Sequence, residues 1–379
     1  MRIIISAIAM ICAATMAFAI SEPLLAIVLD AHGEPEDAIG ISGAIQLWAT
    51  VIAAWLATRI LRRFTLRTVL VGGCATIVLL FLSLPLYVDA YAWIPARFVI
   101  GFLGTMIWII GETLLNTYAP AAKRGRIMGI YGAISAGGIA AGPLILQGVG
   151  TIGWAPILAI VVAISCAGLM TLILPKTVRS ITPEARDRGM WLHCMRKAPG
   201  IFLLCGVFSF SDFQIWIFLT LFAQSIGHAQ AEGLNMLFFM ALGGGVWPFI
   251  AGWLADRVAL WPIIFTHIVL YIIALVALPF LAEILWIAYI ISLMMGMVLG
   301  AIYTLTLVAL GQKFEQNQLA GATSLFTMMW GLGAALGTAL AGYVIIWFGY
   351  SGIFWLGAAA FTFYIIFEII YKNRGNKNA

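Results

Sequence analysis

Long apolar stretches separated by short polar segments run along the whole chain. Each stretch is about 20 residues long, which is the length of helix that crosses the hydrocarbon core of a bilayer. A transmembrane barrel would show segments of roughly 10 residues with alternating polarity instead. The pattern predicts twelve membrane-spanning helices, at residues 5–28, 38–57, 68–87, 93–116, 127–147, 153–174, 201–223, 234–254, 262–281, 284–309, 321–346 and 351–370.

Composition shows why these stretches are not the cores of soluble domains. Of the 379 residues, 63% are hydrophobic and 9% are charged, whereas a soluble domain carries about 25% charged residues. We therefore expect an all-α polytopic membrane protein with two pseudo-symmetric six-helix bundles. The predicted domains are an N-terminal bundle at 1–174, a cytoplasmic linker at 175–200 and a C-terminal bundle at 201–379.

The placement of basic residues predicts the orientation of the chain, because cytoplasmic loops carry an excess of Lys and Arg. With the N-terminus inside, every one of the 20 basic residues except Arg97 falls on the cytoplasmic side. The opposite loops carry acidic residues such as Asp30, Glu36 and Asp89. This pattern predicts a multi-pass protein of the inner (cytoplasmic) membrane with both termini in the cytoplasm. The net charge of +5 reflects this topology and does not indicate a nucleic-acid partner.

Two segments have more than one interpretation. Arg2, the apolar run after it and Ala17-Phe18-Ala19 also fit a signal peptide with its cleavage site. In the linker, Thr182-Pro183-Glu184 has the features of a helix start. Ala185 to Lys197 is then expected either to lie along the membrane surface or to be a solvated linker.

The two halves of the chain resemble each other. The segments 54–59 and 252–257, which end the second and eighth spans, match at four of six positions and lie 198 residues apart. Glycines repeat at similar offsets in the fourth and tenth spans and in the fifth and eleventh. These glycines are Gly101 and Gly104, which correspond to Gly296 and Gly300, and Gly138 and Gly142, which correspond to Gly333 and Gly337. Parallel repeats of this kind occur in transporters that rock one half against the other.

Three motifs carry a family resemblance that extends along essentially the whole chain. Gly252-x-x-x-Asp256-Arg257 resembles the loop signature of the major facilitator superfamily, and Arg97-x-x-x-Gly101 resembles the start of its fourth helix in proton-driven members. Gly129, Gly138 and Gly142-Pro143 have the spacing of the fifth-helix signature of the bacterial drug-efflux branch. The paired glycines that should follow are replaced by Leu146-Gln147.

This resemblance implies secondary active transport of a small organic solute by alternating access, with proton-coupled export as the expected form. It also implies that Gly252, Asp256, Arg257, Gly138, Gly142 and Pro143 serve gating and conformational change. Asp256 is expected to act as a latch near Lys123 to Arg126, the alternative being an ordinary loop carboxylate. The alternatives for function are proton-linked or facilitated nutrient uptake and a non-transporting receptor or scaffold.

Four ionisable residues lie inside the predicted spans, and these are the candidates for proton coupling or the substrate cavity: Asp212, Glu22, Arg97 and Glu112. A charged side chain at the bilayer centre costs roughly 2.5–3.5 kcal/mol on insertion scales, so such residues are functional candidates by default. Asp212 lies among aromatic residues and is expected to carry a proton, the alternatives being a structural hydrogen bond and a substrate counter-ion.

The other three residues have distinct expected partners. Glu22 is expected in the cavity and paired with Arg97, which could otherwise extend to the outer interface. Glu112 is expected to pair with a loop arginine such as Arg59 or Arg62.

The expected partners of the protein are a small-molecule substrate, protons and the lipid bilayer, with the monomer as the working form. The five cysteines form no C-x-x-C pair, so neither a disulfide nor a metal is expected. The sequence contains no nucleotide-binding loop or catalytic triad, and we expect neither a cofactor nor an enzyme.

Overall fold

The computed structural model describes residues 2–120, 124–174 and 188–377, and the regular structure in these ranges is entirely helical. Twelve of the described helices are long and apolar enough to cross a membrane. The prediction of an all-α polytopic protein with twelve spanning helices is therefore confirmed.

The helices follow the predicted spans, and most extend a few residues beyond them. The first six are α1 (Arg2–Ala31), α2 (Glu36–Arg63), α3 (Leu66–Ser83), α4 (Ile94–Tyr118), α5 (Arg124–Val149) and α6 (Ala155–Leu172). A short helix, α7 (Arg188–Lys197), lies between the two sets of six. The second six are α8 (Pro199–Ser225), α9 (Gln230–Ala255), α10 (Leu260–Leu281), α11 (Leu285–Lys313), α12 (Gln316–Phe348) and α13 (Gly352–Lys377).

Local signals in the sequence set several helix ends. The hydroxyl of Thr65 caps α3 by accepting a hydrogen bond from the backbone N–H of Thr68 at 3.2 Å, as is usual at helix N-termini. Pro95, Pro156 and Pro199 occupy the first turns of α4, α6 and α8, where the missing N–H is not needed. Gly349 ends α12 with a φ of 65°, a backbone angle that glycine adopts without strain.

The chain forms two compact units, Met1–Ala185 and Arg186–Ala379. In the first unit, α1 is central and packs against α4, α5 and α6, while α2 and α3 pack against α4. In the second unit, α8 holds the same position and packs against α9, α11, α12 and α13. Polar side chains on α1 and α8 are therefore surrounded by the other helices of their own unit.

Glycines bring the helix backbones into direct contact within the first unit. A Cβ atom added at Gly138 of α5 would lie 3.1 Å from the carbonyl oxygen of Cys12, and one added at Gly142 would lie 2.6 Å from the Cβ of Ala19. Gly101 of α4 lies directly on the backbone of Gln46 of α2. Small residues permit such close approach in a membrane, where packing replaces the hydrophobic effect.

The second unit repeats these contacts with the glycines that the sequence comparison paired. Gly333 of α12 lies on the backbone of Gly206 of α8, and Gly337 lies on Phe210. Gly296 of α11 lies on the backbone of Met240 of α9. Three of the four glycine pairs of the sequence repeat therefore lie at equivalent helix interfaces. The fourth pair differs, because Gly300 lies on the backbone of Gly244 whereas Gly104 has no atom within 4 Å of an added Cβ.

Helix α7 is docked on the second unit, so this part of the predicted linker is not simply solvated. Met190 lies against Gly321 of α12, at a distance that leaves no room for a Cβ. The ammonium of Lys197 donates a hydrogen bond to Gln318 at 2.9 Å, while Leu192 is exposed. Burial raises the pKa of the Cys194 thiol on the docked face. The predicted helix start at Thr182-Pro183-Glu184 lies outside the described residues.

Candidate functional site in the helix interiors

A polar network lies in the interior of the first unit and joins α1, α2 and α4. The guanidinium of Arg97 donates to a carboxylate oxygen of Glu22 at 2.9 Å, and each side chain is no more than 2% exposed. The amide of Gln46 bridges the pair: it donates to Glu22 at 2.5 Å and accepts from Arg97 at 3.3 Å. Arg97 also donates to the hydroxyl of Ser42 at 3.4 Å.

The expected pair of Glu22 and Arg97 is therefore present. The alternative, in which Arg97 extends to the outer interface, is wrong because the guanidinium is buried and bonded to three side chains. Removing one member of a buried pair leaves an uncompensated charge, which typically costs 3–5 kcal/mol. The network thus keeps two charges in the helix interior while the site as a whole stays neutral.

Backbone features beside Glu22 complete this part of the site. Pro23 has no N–H, so the carbonyl of Ala19 loses its usual donor within α1. Gly142 of α5 lies against that carbonyl, with 3.1 Å between the oxygen and an added Cβ. The Gly142-Pro143 motif therefore contacts α1 about one turn from Glu22.

Asp212 lies in a different environment on α8. Phe208, Asp212 and Trp216 follow one another at four-residue spacing and so share one face of the helix. The indole of Trp216 is the polar group that lies beside the Asp212 carboxyl, and both side chains are partly exposed. Among the described residues, no cationic side chain lies within ion-pair distance of Asp212.

Aromatic side chains from α8, α11 and α12 surround this stretch of α8. The ring of Phe208 lies 5.3 Å from the ring of Tyr303, which in turn lies 5.8 Å from that of Phe326. Phe213 meets Trp330 edge to face at 4.9 Å, an arrangement that aromatic pairs prefer. Asp212 is thus a carboxyl beside an aromatic and largely apolar wall.

Glu112 does not have the partner expected from the sequence. Its carboxylate accepts a hydrogen bond from the hydroxyl of Tyr131 at 3.1 Å, and the indole of Trp108 lies beside it, one turn earlier on α4. Arg59 and Arg62 are exposed and form no ion pair with it, so the prediction of a pair with either arginine is wrong. Arg59 instead stacks over Trp55, one turn earlier on α2, at 4.8 Å.

The Gly252-to-Arg257 segment ends α9 at the exposed end of the helix. Arg257 stacks on the ring of Trp253 at 3.6 Å. Asp256 occupies the C-terminal cap position, is exposed and forms no ion pair within the described part of its unit. Gly252 has no atom within 4 Å of an added Cβ, unlike Gly138 and Gly142. The predicted partner segment of Asp256 begins at Lys123, which lies outside the described residues.

Comparison with known proteins decides the family. The model of the Major Facilitator Superfamily matches residues 7–316. The chain belongs to the Major Facilitator Superfamily. Two solved structures have a similar fold. That of the nucleoside transporter NupG matches with a TM-score of 0.77 and 14% identity, and 98% of both chains is covered. That of the D-xylose-proton symporter matches with a TM-score of 0.76 and 12% identity, and 96% of both chains is covered. At these identities the likeness shows the fold alone. None of the curated protein sequences compared with the chain matches it significantly.

The repeat explains why this superfamily member holds its two central acids so differently. The packing glycines Gly101 and Gly296 are 195 residues apart. With the same offset, the position in the second unit that is equivalent to Arg97 is Ser292. Gln46, which meets Gly101, is replaced by Met240, which meets Gly296. The second unit therefore has a methionine and a serine where the first has the amide and the guanidinium that hold Glu22.

Three side chains of the site were not anticipated from the sequence: Ser42, Gln46 and Tyr131. Each is a common residue type within an apolar span, and only its three-dimensional neighbour reveals its part in the site. For Gln46 a signal was available, since an amide inside a span needs a partner.

Proposed function

We propose that the chain is a proton-coupled secondary transporter of a small organic solute and that Asp212 carries the coupling proton. One observation carries this proposal: Asp212 is an intramembrane carboxyl that has the indole of Trp216 beside it and, among the described residues, no cation within ion-pair distance. Glu22 is already neutralised by Arg97, so its protonation would leave the arginine without a counter-charge.

The physical argument concerns the two states of a carboxyl in an apolar place. A carboxylate without a cation is costly there, whereas the protonated acid is neutral and can donate a hydrogen bond. Binding and release of a proton at Asp212 therefore change the charge of α8 by one unit without breaking an ion pair. Such a change can favour different conformations of the transporter before and after substrate binding.

Export by proton antiport is our preferred direction. It is supported by the fifth-helix glycine motif, whose Gly138 and Gly142 lie directly on α1. Uptake coupled to protons is the second candidate. It is favoured by the structural likeness to a nucleoside transporter and to a D-xylose-proton symporter, and by the replacement of the antiporter glycines with Leu146-Gln147.

The test is transport in liposomes that contain purified protein, with an imposed pH gradient. The panel consists of uridine, D-xylose and a lipophilic organic cation. We expect Asp212→Asn to retain exchange of substrate at equilibrium but to lose accumulation driven by the gradient. Glu283→Gln is the matched control, since Glu283 is an exposed acid between α10 and α11 and its loss should change neither measurement.

Each outcome has a distinct meaning. Full gradient-driven accumulation by Asp212→Asn would refute the role of Asp212. Loss of exchange of the organic cation alone would assign Asp212 as a substrate counter-ion. Proton flow opposite to the substrate supports antiport, and flow in the same direction supports uptake. An absence of flux for every member of a broadened panel would favour a receptor or scaffold.

A further inference from the structure

A cavity of 510 Å³ opens at the end of the second unit where α8 and α10 begin and α11 ends. Its volume falls in the range of small-ligand sites, roughly 300–1,000 Å³. The wall includes Lys197, Lys313, Glu368, Trp261 and Tyr371. This cavity is lined by residues of the second unit alone and lies apart from Asp212.

Two lysines supply positive charge at this cavity. The ammonium of Lys197 is held in place by its hydrogen bond to Gln318 and lies 5.3 Å from the centre of the Phe314 ring. A lysine has three donors, so Lys197 keeps two for a ligand. Lys313 is exposed and forms no ion pair with any described residue.

Two helix N-termini add to the positive potential. The first residues of α8 and α10 line the cavity, and their capping positions are occupied by Ala198 and Ala259, neither of which provides a side-chain cap. A helix N-terminus carries about half a positive charge. An anion in the cavity would interact favourably with both.

One acidic residue, Glu368, lines the same cavity. Glu368 is only 4% exposed, and its carboxylate lies against Gly200, where a Cβ would collide with it. Glu368 thus offsets charge at the first turn of α8. Two lysines against one carboxylate leave an excess of positive charge on the wall.

We propose that this cavity binds the phosphate group of an anionic ligand, supplied either by a phospholipid headgroup or by a soluble phosphate. Lys197 and Lys313 would contact the phosphate oxygens through charge-assisted hydrogen bonds. Trp261 and Tyr371 border the same cavity, and such amphipathic rings favour the level of lipid headgroups. The lysine-bearing end is also the end predicted to face the cytoplasm, where membranes carry anionic lipid.

The experiment titrates purified full-length protein in detergent and follows its thermal unfolding midpoint. The probes are sodium phosphate, a short-chain phosphatidylglycerol and a neutral diacylglycerol with the same acyl chains, with sodium chloride at matched ionic strength as reference. The variants are Lys313→Gln, which should fold because Lys313 is exposed, and its combination with Lys197→Gln. Arg63→Gln is the control, since Arg63 is an exposed basic residue at the end of α2, in the first unit, and does not line the cavity.

We expect saturable stabilisation by a phosphate-bearing probe and none by diacylglycerol. Lys313→Gln should weaken the apparent affinity by about tenfold, which corresponds to one charge-assisted contact. Stabilisation by phosphatidylglycerol alone identifies a lipid ligand, and stabilisation by inorganic phosphate identifies a soluble one. The proposal is overturned if neither probe acts saturably, if Lys313→Gln binds like the unchanged protein, or if Arg63→Gln weakens binding equally.

Discussion

Arg97 and Glu22 face each other at 2.9 Å in the interior of the first unit, with Gln46 bonded to both. The three side chains come from three different helices, so the contact ties α1, α2 and α4 together. Asp212 has no comparable anchor in the described part of the second unit. The two central acids, which look alike in the sequence, therefore have different physical properties.

The first prediction concerns the stability of the buried pair. Glu22→Gln removes the carboxylate and leaves the Arg97 guanidinium buried without a counter-charge, which should reduce the free energy of unfolding by about 3–5 kcal/mol. Thermal or denaturant unfolding of purified protein in detergent measures the change. Asp212→Asn should be much less destabilising, because it strands no cation.

The double variant Glu22→Gln with Arg97→Gln provides the control. If the loss arises from the stranded charge, the double variant should be more stable than Glu22→Gln alone. Additive losses would mean that the two side chains contribute separately, and the interpretation as a coupled pair would be wrong.

Much of the architecture follows from the sequence because the bilayer constrains it so strongly. Backbone groups in lipid must be satisfied within the helix, so a run of apolar residues suffices to predict each span. The Glu22–Arg97 pair was also predictable, since two opposite charges within spans have few other ways to be accommodated.

Other parts of the site could not be predicted, because they depend on which helix faces which. Glu112 lies near enough to the helix end to suggest a loop arginine, but its hydrogen-bond partner is the hydroxyl of Tyr131. Glu368 is close to the end of the last span, and its sequence position did not predict that it would be buried. Its burial against Gly200 arises only from the packing of α13 on α8.

The second prediction compares two glycines of the same helix. Gly101→Ala places a methyl group against the backbone of Gln46, where there is no room, whereas Gly104 has no atom within 4 Å of an added Cβ. We expect Gly101→Ala to lower stability by roughly 1–3 kcal/mol through overpacking. Gly104→Ala should be neutral or slightly stabilising, since alanine favours the helix.

The yield of folded protein and its unfolding midpoint measure both variants. Equal behaviour of the two would show that the α2–α4 interface tolerates a methyl group and that the close approach is unimportant.

The third prediction concerns the loop signature. Asp256→Asn should slow transport, because the resemblance implies that Asp256 serves gating. The variant should still insert and fold, because Asp256 is exposed and makes no ion pair in the described part of its unit. Initial rates in liposomes measure the effect. Glu315→Gln, which changes another exposed acid at the start of α12, is the control and should transport normally. Wild-type rates in Asp256→Asn would mean that the signature is an ordinary loop in this chain.

The fourth prediction is the orientation in the membrane. Single cysteines introduced at Arg63 and Arg186 should react with a membrane-impermeant thiol reagent only after the cells are opened. A cysteine at Asp89 should react in intact cells, because the loop before α4 lies on the opposite side in the predicted topology. Labelling of Arg186→Cys from outside would contradict the cytoplasmic position of both termini.

The glycine contacts between α5 and α1, and between α12 and α8, have a consequence for motion. Where Gly142 rests on Ala19 and Gly337 rests on Phe210, displacement by one residue would bring a bulkier side chain into a gap without space for it. The two helices of each pair therefore cannot slide along each other. When either unit tilts or bends during transport, the paired helices must move together as one rigid body and keep the same register.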